Sequence, residues 1–257
     1  MRNDKNPTSS EAQAVILAGG LGRRLAPYTS VLPKPLMPVG DRAVLEIVVG
    51  QLASHGFNDI IFSVGYLSHL IRAIFDSRSD RTIEIRYVQE ETPLGTAAPV
   101  RLIEGLDDTF ILMNGDVLTT LDYRELLRRH REDGNVITVA TIKRTVKIDY
   151  GVVHTQDGLG RVESWEEKPE IASLVSMGVY AVERSAIEFI PKGKHFDFPD
   201  LVQALLRAGQ PVGCYLHDGI WFDIGRRDDY EQAVASWTAY GNGHSHASPD
   251  GVMLEVP

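Results

Sequence analysis

Short apolar runs alternate with amphipathic stretches along most of this chain, and this alternation constrains the fold more than any other feature. The run at residues 14–18 is continuous, apolar and followed by glycines, which is typical of a buried strand. Further strands are predicted at residues 59–64, 83–88, 109–113 and 136–142, and helices at residues 44–55, 67–75, 95–106 and 122–131. This order predicts an α/β fold with a mostly parallel sheet that helices cover on both faces.

The rhythm changes near residue 143, but no repeat or low-complexity linker marks a domain boundary there. Strands are predicted at residues 151–154, 161–166, 175–182, 212–216 and 220–222, and helices at residues 198–207 and 226–237. We therefore expect a single domain over residues 14–239, with one half at about 14–142 and the other at about 143–239. The polar ends, residues 1–13 and 240–257, are predicted to be flexible tails.

The composition excludes several classes of protein. Of the 257 residues, 26 are Lys or Arg and 35 are Asp or Glu, which gives a net charge of −9 and disfavours a nucleic-acid or anionic-membrane partner. The single cysteine, Cys214, excludes internal disulfides and a cysteine-based zinc site. With no apolar run long enough to span a bilayer and no secretory signal in the given sequence, we expect a cytoplasmic protein.

A glycine-rich loop follows the first predicted strand directly. Glycines let the backbone approach a ligand closely, and consecutive backbone N–H groups can bind phosphate oxygens. The loop is neither a Walker-type loop, which needs Gly-Lys followed by Ser or Thr, nor a dinucleotide fingerprint, which needs a glycine where Leu25 stands. Arg23, Arg24 and the proline-flanked Lys34 follow it. A tight connection with solvated basic residues and a phosphate-binding loop are both consistent with these residues alone.

Together with later motifs, this loop resembles that of the sugar-phosphate nucleotidyltransferases, the nucleotide-sugar pyrophosphorylases. Residues 19–25, Gly-Gly-Leu-Gly-Arg-Arg-Leu, and residues 33–35, Pro-Lys-Pro, match the signature of that family, except that Arg23 replaces its usual threonine. This departure adds a cation, and its effect on contacts to the leaving diphosphate stays open.

Five further short motifs follow in the family's order. They are Pro-Leu-Gly-Thr-Ala-Ala at residues 93–98, Asn-Gly-Asp at 114–116, Tyr-Gly-Val-Val at 150–153, Glu-Lys-Pro at 167–169 and Trp-Phe-Asp-Ile-Gly at 221–225. Each motif is weak alone, but their order is specific, and the resemblance covers about residues 14–235. It implies a Rossmann-like three-layer α/β/α sandwich with a mostly parallel mixed central sheet.

The resemblance implies a nucleotidyl transfer in nucleotide-sugar biosynthesis. An oxygen of a sugar 1-phosphate would attack the α-phosphorus of a nucleoside triphosphate in line, and pyrophosphate would leave. Because two anions must approach and charge builds on the leaving group, cations and positioning do most of the catalytic work. By resemblance the catalytic residues are Arg24, Lys34 and Asp116. The nucleotide-binding residues are Leu17, Ala18, Gly19, Gly20, Gly22, Arg23, Glu90, Gly95 and Thr96. The sugar-phosphate-binding residues are Asn114, Gly151, Glu167, Lys168 and Gly178.

The resemblance also pairs Asp116 and Asp223 on one metal ion. Hard oxygen ligands beside phosphates suit Mg²⁺, which usually takes one or two carboxylates plus substrate oxygens. Taken alone, each of the two aspartates is better interpreted as an exposed turn residue than as a ligand. Glu167 is likewise consistent with a salt bridge to its neighbour Lys168, and the glycines of the sugar-phosphate side with ordinary turns. The three tryptophans are predicted to be core residues.

Glu90 bears on the choice of nucleotide. It precedes Gly95 by five positions, where the family carries a base-reading side chain, and a carboxylate matches the two adjacent donors of guanine. This favours GTP, although Glu90 is also consistent with a solvated strand end and the Leu-Gly-Thr-Ala pattern occurs in ADP-sugar-forming members. Residues 196–200 resemble short guanylyltransferases acting on heptose phosphate. Mannose 1-phosphate enzymes usually add a C-terminal β-helix, which we do not expect here, so heptose, mannose and cyclitol phosphates all stay open as acceptors.

Two other functions are alternatives to this one. A nucleotide-sugar-dependent glycosyltransferase typically needs Asp-x-Asp for its metal, whereas the first position here is Asn114. A non-catalytic regulatory homologue that binds nucleotide-sugar could lose Lys34 or Asp116, yet the chain has both. Members of the resembling family commonly form dimers or larger assemblies, so a homo-oligomer is also possible here.

Overall fold

The computed structural model describes residues 12–77, 82–156, 160–225 and 227–244, with side chains up to residue 237. The strands in these ranges are, in chain order, β1 Gln13–Ala18, β2 Pro38–Val39, β3 Arg42–Ala43, β4 Asp59–Val64, β5 Glu84–Gln89, β6 Thr109–Asn114, β7 Val117–Thr119, β8 Ile137–Lys147, β9 Gly151–Thr155, β10 Val162–Glu167, β11 Glu170–Glu183, β12 Val212–His217 and β13 Trp221–Asp223. The α-helices in the same ranges are α1 Val44–Ser54, α2 Ser68–Asp76, α3 Tyr123–Asp133, α4 Phe198–Arg207 and α5 Arg227–His244.

Seven of these strands form the central sheet, in the order β12-β8-β11-β6-β1-β4-β5. All neighbours are parallel except β11, which is antiparallel to both β6 and β8. The sheet is therefore mixed and mostly parallel, as the βα alternation predicts.

Helices cover both faces of the sheet, because side chains alternate along its buried strands. In β1, Ala14 and Ile16 join the apolar cluster that contains the buried residues of α1, α2, α3 and α5, whereas Val15 faces the other cluster with α4. The result is the expected three-layer α/β/α arrangement. The first helix begins and ends as its sequence predicts: its apolar positions are buried, and Gly56 follows it with φ of 86°.

The predicted helix at residues 95–106 is wrong. Only a short 3₁₀ helix forms there, over Ala98–Leu102. The N–H groups of Ala97 and Ala98 both donate to the carbonyl of Phe196, and Pro99 has no N–H group to continue a helical ladder. A contact with a residue about a hundred positions away therefore replaces the local helical hydrogen bonds.

The second half departs from the sheet in an extended arm. Residues 143–147 of β8 pair only with residues 170–174 of β11, and β9 pairs with β10 in a separate two-stranded sheet. We call residues 143–155 and 162–174 the arm. Trp165 of the arm is 63% exposed, so its predicted core position is wrong, whereas Trp237 is buried. An isolated two-stranded sheet has no second layer to cover its side chains, which explains this exposure.

Helix α5 extends to His244, so five residues of the segment predicted as a C-terminal tail, 240–244, are helical. The predicted N-terminal tail and residues 245–257 lie outside the described residues, apart from Ala12 and Gln13. None of the helices within the described ranges combines the length and apolar character needed to cross a membrane.

Candidate active site

A cleft of about 450 Å³ opens at the carboxyl ends of β1, β5 and β6. In open α/β sheets, ligands bind at this edge. Most of the residues that sequence reasoning predicted for the site line this cleft: Leu17, Ala18, Gly19, Gly20, Gly22, Arg23, Arg24, Lys34, Glu90, Gly95, Thr96, Asn114 and Asp116. The sheet thus brings together motifs that are far apart in the chain.

Lys34 is the central cation of the cleft. Residues 34–36 form a 3₁₀ turn in which Pro35 and Leu36 are buried, so the lysine is held at a fixed point and only 13% of its side chain is exposed. Its ammonium group forms an ion pair with Asp116 and lies 3.7 Å from an oxygen of Asp223. One cation therefore stands between two carboxylates.

A short antiparallel ladder brings the two aspartates together. Asp116 follows β6 and precedes β7, and Asp223 ends β13, which pairs with β7. The N–H group of Ile224 donates to the carbonyl of Asp116 at 3.0 Å. Burial and then the charge of Asp116 raise the pKa of the Asp223 carboxyl, while Lys34 and Arg24 lower it. Two neighbouring carboxylates repel each other unless a cation lies beside them or one of them takes up a proton.

The pair has the properties of an incomplete metal site. Within the described parts of the chain, the buried Oδ1 atom of Asp116 has no hydrogen-bond partner, and no cluster of three or more His, Cys, Asp or Glu residues could hold a metal alone. A buried carboxylate oxygen without a partner is costly unless a ligand supplies one. Two carboxylates plus substrate oxygens fit Mg²⁺, which rarely uses an all-protein cage.

Glu90 lies beside the glycine loop, directly after β5. The hydroxyl of Ser63 donates to its Oε1 atom at 3.0 Å, and the N–H of Leu94 donates to Oε2 at 3.4 Å. Burial raises the pKa of Glu90, and these two hydrogen bonds partly oppose the rise. A Cβ atom at Gly19 would lie 2.6 Å from Oε1, so a side chain there would push the Glu90 carboxylate out of its present position. The solvated strand end is therefore wrong for this half-buried side chain.

The sugar-phosphate residues are split between two places. Asn114 lines the cleft, and Gly178, with φ of 73°, lies so close to it that a Cβ would meet the Asn114 amide nitrogen at 2.6 Å. Gly151, Glu167 and Lys168 instead lie in the arm and are not among the residues that line the cleft.

Contacts within the arm organise those three positions. The ring of Trp165 packs over Gly151, where a Cβ atom would clash with it. The Trp165 indole N–H donates to Oε2 of Glu167 at 3.0 Å. Lys168 adopts a left-handed backbone conformation, with φ of 46°, between β10 and β11. Such a conformation is uncommon outside glycine and is typical of functional turns.

Sequence reasoning missed several residues of the cleft. Pro35, Pro93, His195 and Gly225 also line it. Three of these flank or belong to recognised motifs, so their neighbours were a usable signal. His195 is next to the segment 196–200, but the backbone contacts of Phe196 with residues 94, 97 and 98 bring that segment to the cleft, and local sequence does not predict them.

The family model "Nucleotidyl transferase" matches residues 13–239, so the chain belongs to the nucleotidyl transferase family. It is 33% identical over 242 residues to a UTP–glucose-1-phosphate uridylyltransferase of Synechocystis sp., and 31% identical over 226 residues to a mannose-1-phosphate guanyltransferase of Aspergillus oryzae. The matches cover 86% and 85% of this chain, respectively. In both, the chain spans only 62% of the length of the relative.

Solved structures share the fold. HddC from Yersinia pseudotuberculosis, also solved in complex with GMP-PN, has a TM-score of 0.68 at 24% identity, over 88% of this chain and 99% of that one. A UDP-glucose pyrophosphorylase from Acinetobacter baumanii has a TM-score of 0.68 at 20% identity, over 91% and 95%. The three-layer architecture with its mixed, mostly parallel sheet is thus that of nucleotide-diphospho-sugar transferases.

Proposed function

We propose that this protein is a sugar-1-phosphate nucleotidyltransferase that makes a nucleotide-sugar and pyrophosphate from a nucleoside triphosphate and a sugar 1-phosphate. The observation that carries the proposal is the position of Lys34 between Asp116 and Asp223 in a cleft that the glycine loop also lines. Family membership and curated relatives that act on glucose 1-phosphate or mannose 1-phosphate support it.

The cleft contains the cations and backbone N–H groups that this reaction needs to neutralise and hold its phosphates. An oxygen of the sugar 1-phosphate forms a bond to the α-phosphorus, and the bond from that phosphorus to the oxygen bridging to the β-phosphate breaks. Arg24 would neutralise charge on the leaving diphosphate, and Lys34 would contact the reacting phosphates. The loop at residues 19–22 would hold the triphosphate through backbone N–H groups. No covalent enzyme intermediate is needed.

Asp116 and Asp223 would hold Mg²⁺. The unpartnered oxygen of Asp116 and the chemistry of the carboxylate pair support this assignment. When bound, the ion would supply positive charge to the phosphate oxygens. Lys34 would then move from its ion pair with Asp116 towards the substrate phosphates, because the ion takes over the neutralisation of the carboxylates.

For the nucleotide we propose GTP. Guanine presents two adjacent donors, N1–H and the N2 amino group, that match the two oxygens of Glu90, whereas uracil presents only one ring N–H. The guanyltransferase relatives agree with GTP, and the uridylyltransferase relative makes UTP the principal competitor. The HddC complex with GMP-PN agrees with a guanine nucleotide on this fold.

The acceptor is proposed only by class: a hexose, heptose or cyclitol 1-phosphate. All three carry the phosphate that Lys168 is expected to bind, and the arm would close over the ring hydroxyls. We propose that the reaction takes place in the cytoplasm. The chain has one cysteine, so it has no internal disulfide that a reducing compartment would break.

A pyrophosphate-release assay with Mg²⁺ tests this proposal. GTP, ATP, CTP, UTP and dTTP are each combined with mannose, glucose, heptose and cyclitol 1-phosphates. We expect release with one pairing, with GTP preferred, and none when either substrate is omitted. Triphosphate binding without release across the panel would favour the regulatory homologue, and hydrolysis of a nucleotide-sugar instead would favour a glycosyltransferase.

A further inference from the structure

Two segments from different halves of the chain meet at the edge of the cleft. We call residues 93–98, which contain Thr96, the base-side loop. Residues 195–197 precede α4 and bring His195 to the cleft. Both segments line the same cleft, so the contacts between them decide the shape of the part of the cleft that is proposed to bind the nucleotide.

Phe196 joins the two segments through its backbone. Its N–H group donates to the carbonyl of Leu94 at 2.8 Å. Its carbonyl accepts hydrogen bonds from Ala97 and Ala98, at 3.0 and 3.1 Å. Because these are backbone contacts, most side chains at position 196 would preserve them. These contacts fix the two ends of the base-side loop. They do not fix its tip, at residues 95 and 96.

The side chain of Asp197 holds that tip. Its Oδ1 atom accepts hydrogen bonds from both the backbone N–H of Thr96, at 3.0 Å, and the Thr96 hydroxyl, at 3.2 Å. The same hydroxyl accepts a hydrogen bond from the N–H of Phe198 at 2.8 Å. Gly95 has φ of 92°, and a Cβ atom there would lie 2.8 Å from Oδ1, so the carboxylate also packs against the glycine.

We propose that Asp197 is a positioning residue for nucleotide binding, acting through Thr96. Its carboxylate holds the base-side loop in the conformation in which Gly95 and Thr96 line the cleft beside Glu90. One oxygen accepts from two donors of the same residue, so a single acceptor fixes both the backbone and the side chain of Thr96. The affinity for the nucleotide, which the half at residues 14–142 is proposed to bind, thus depends on a residue from the half at residues 143–239. This inference rests on the proposed function.

A purely structural role is the competing explanation, because Asp197 also stands at the N-cap of α4. Four variants separate the two roles. Asp197→Ala removes the acceptor, and Asp197→Asn retains an amide oxygen that can accept both hydrogen bonds and cap the helix. Thr96→Val removes the hydroxyl, and with it the acceptor of the Phe198 N–H, but it leaves the Asp197 side chain at the N-cap. Asp200→Asn is the control for the helix cap: the Asp200 carboxylate accepts a hydrogen bond from the backbone N–H of Asp197 at 3.2 Å, so this variant changes the cap without removing the acceptor of Thr96.

The experiment measures the Kd of GTP with Mg²⁺ by calorimetry without acceptor, the KM of the acceptor, and the free energy of unfolding. We expect Asp197→Ala to raise the nucleotide Kd about tenfold, as the loss of its two hydrogen bonds to Thr96 predicts. The acceptor KM should change less. Asp197→Asn should stay close to the wild type, Thr96→Val should weaken binding and add little to Asp197→Ala, and Asp200→Asn should bind normally.

Wild-type affinity in folded Asp197→Ala would overturn the proposal, because Phe196 alone would then suffice. Equal losses in Asp197→Asn and Asp197→Ala would also overturn it, since the charge and not the hydrogen-bond acceptor would matter. If Asp197→Ala does not fold, Thr96→Val decides: wild-type affinity refutes the role and weakened affinity supports it. If the wild type binds none of the five triphosphates, the proposed function fails and this role with it.

Discussion

The two sides of the candidate site are built in different ways. On the phosphate side, Lys34, Asp116 and Asp223 lie on a turn and short strands that follow the buried sheet, and the lysine and Asp116 are 13% and 17% exposed. On the acceptor side, Glu167 and Lys168 both belong to the exposed arm. One side is preformed by the core, and the other depends on a two-stranded sheet that has no covering layer.

This difference suggests a division of labour between the two sides. A preformed side can hold charged groups at fixed distances, which the phosphoryl chemistry requires. An exposed arm can adjust to the shape of a sugar, and its few core contacts make it the less stable region of the two. Substitutions on the phosphate side should therefore affect turnover, whereas substitutions in the arm should affect the acceptor.

The largest effect is expected for Asp116→Asn. The amide cannot replace the carboxylate as a ligand for Mg²⁺, so turnover should fall on the order of 10³-fold, as for other charge-stabilising groups in phosphoryl transfer. Steady-state pyrophosphate release measures this, and the thermal midpoint should stay within a few degrees of the wild type. Asp41→Asn, in an exposed turn, is the control. Turnover near that of the wild type would remove Asp116 from the metal site.

The next effect is expected for Lys34→Ala. Loss of the ammonium group leaves two carboxylates without their shared cation and the phosphates without a contact, so turnover should fall roughly 10²–10³-fold. Lys34→Arg should not restore it, because the planar guanidinium does not fit a buried point-charge position. Rapid-quench measurement of a single turnover separates this loss from slow product release, and full activity of Lys34→Arg would contradict the geometric argument.

A different kind of change is expected for Lys168→Ala. The KM for the sugar 1-phosphate should rise about tenfold, in line with the loss of one charge-assisted hydrogen bond, and the nucleotide Kd should not change. Lys147→Ala, elsewhere in the arm, is the matched control. Equal changes for nucleotide and acceptor would show that the two sides of the site are not independent, and the comparison drawn above would fail.

The smallest effect is expected for Glu90→Gln, because one acceptor oxygen becomes a donor. The preference for GTP over UTP should fall roughly fivefold, as for the net loss of about 1 kcal/mol from one hydrogen bond. A pH series gives an independent check. Since burial raises the pKa of Glu90, the carboxylate should be lost on acidification before an exposed glutamate would be, and the GTP preference with it. Unchanged selectivity in both tests would show that residues other than Glu90 recognise the nucleobase.

Local sequence predicted the parts of the molecule that depend on local or regular features. The buried parallel strands were predicted because their continuous apolar runs are bounded by turns, and the cleft lining followed from motifs at the ends of those strands. The predicted core position of Trp165 was wrong because no layer covers the arm. The predicted helix at residues 95–106 was wrong because contacts with Phe196 decide the structure of that segment. His195 and Asp197 were missed for the same reason. The single domain over residues 14–239 and the individual site roles stay predictions.

The central claim is that the cleft transfers a nucleotidyl group from a triphosphate to a sugar 1-phosphate. Phosphorus NMR tests it most directly, with GTP, Mg²⁺ and the best acceptor from the panel in one tube. The account predicts that the triphosphate signals decline together with that of the sugar phosphate, while pyrophosphate and a new diphosphate diester appear in equal amounts. All of these changes should be absent with Asp116→Asn. Release of inorganic phosphate from GTP alone, with no diester formed, would contradict the claim.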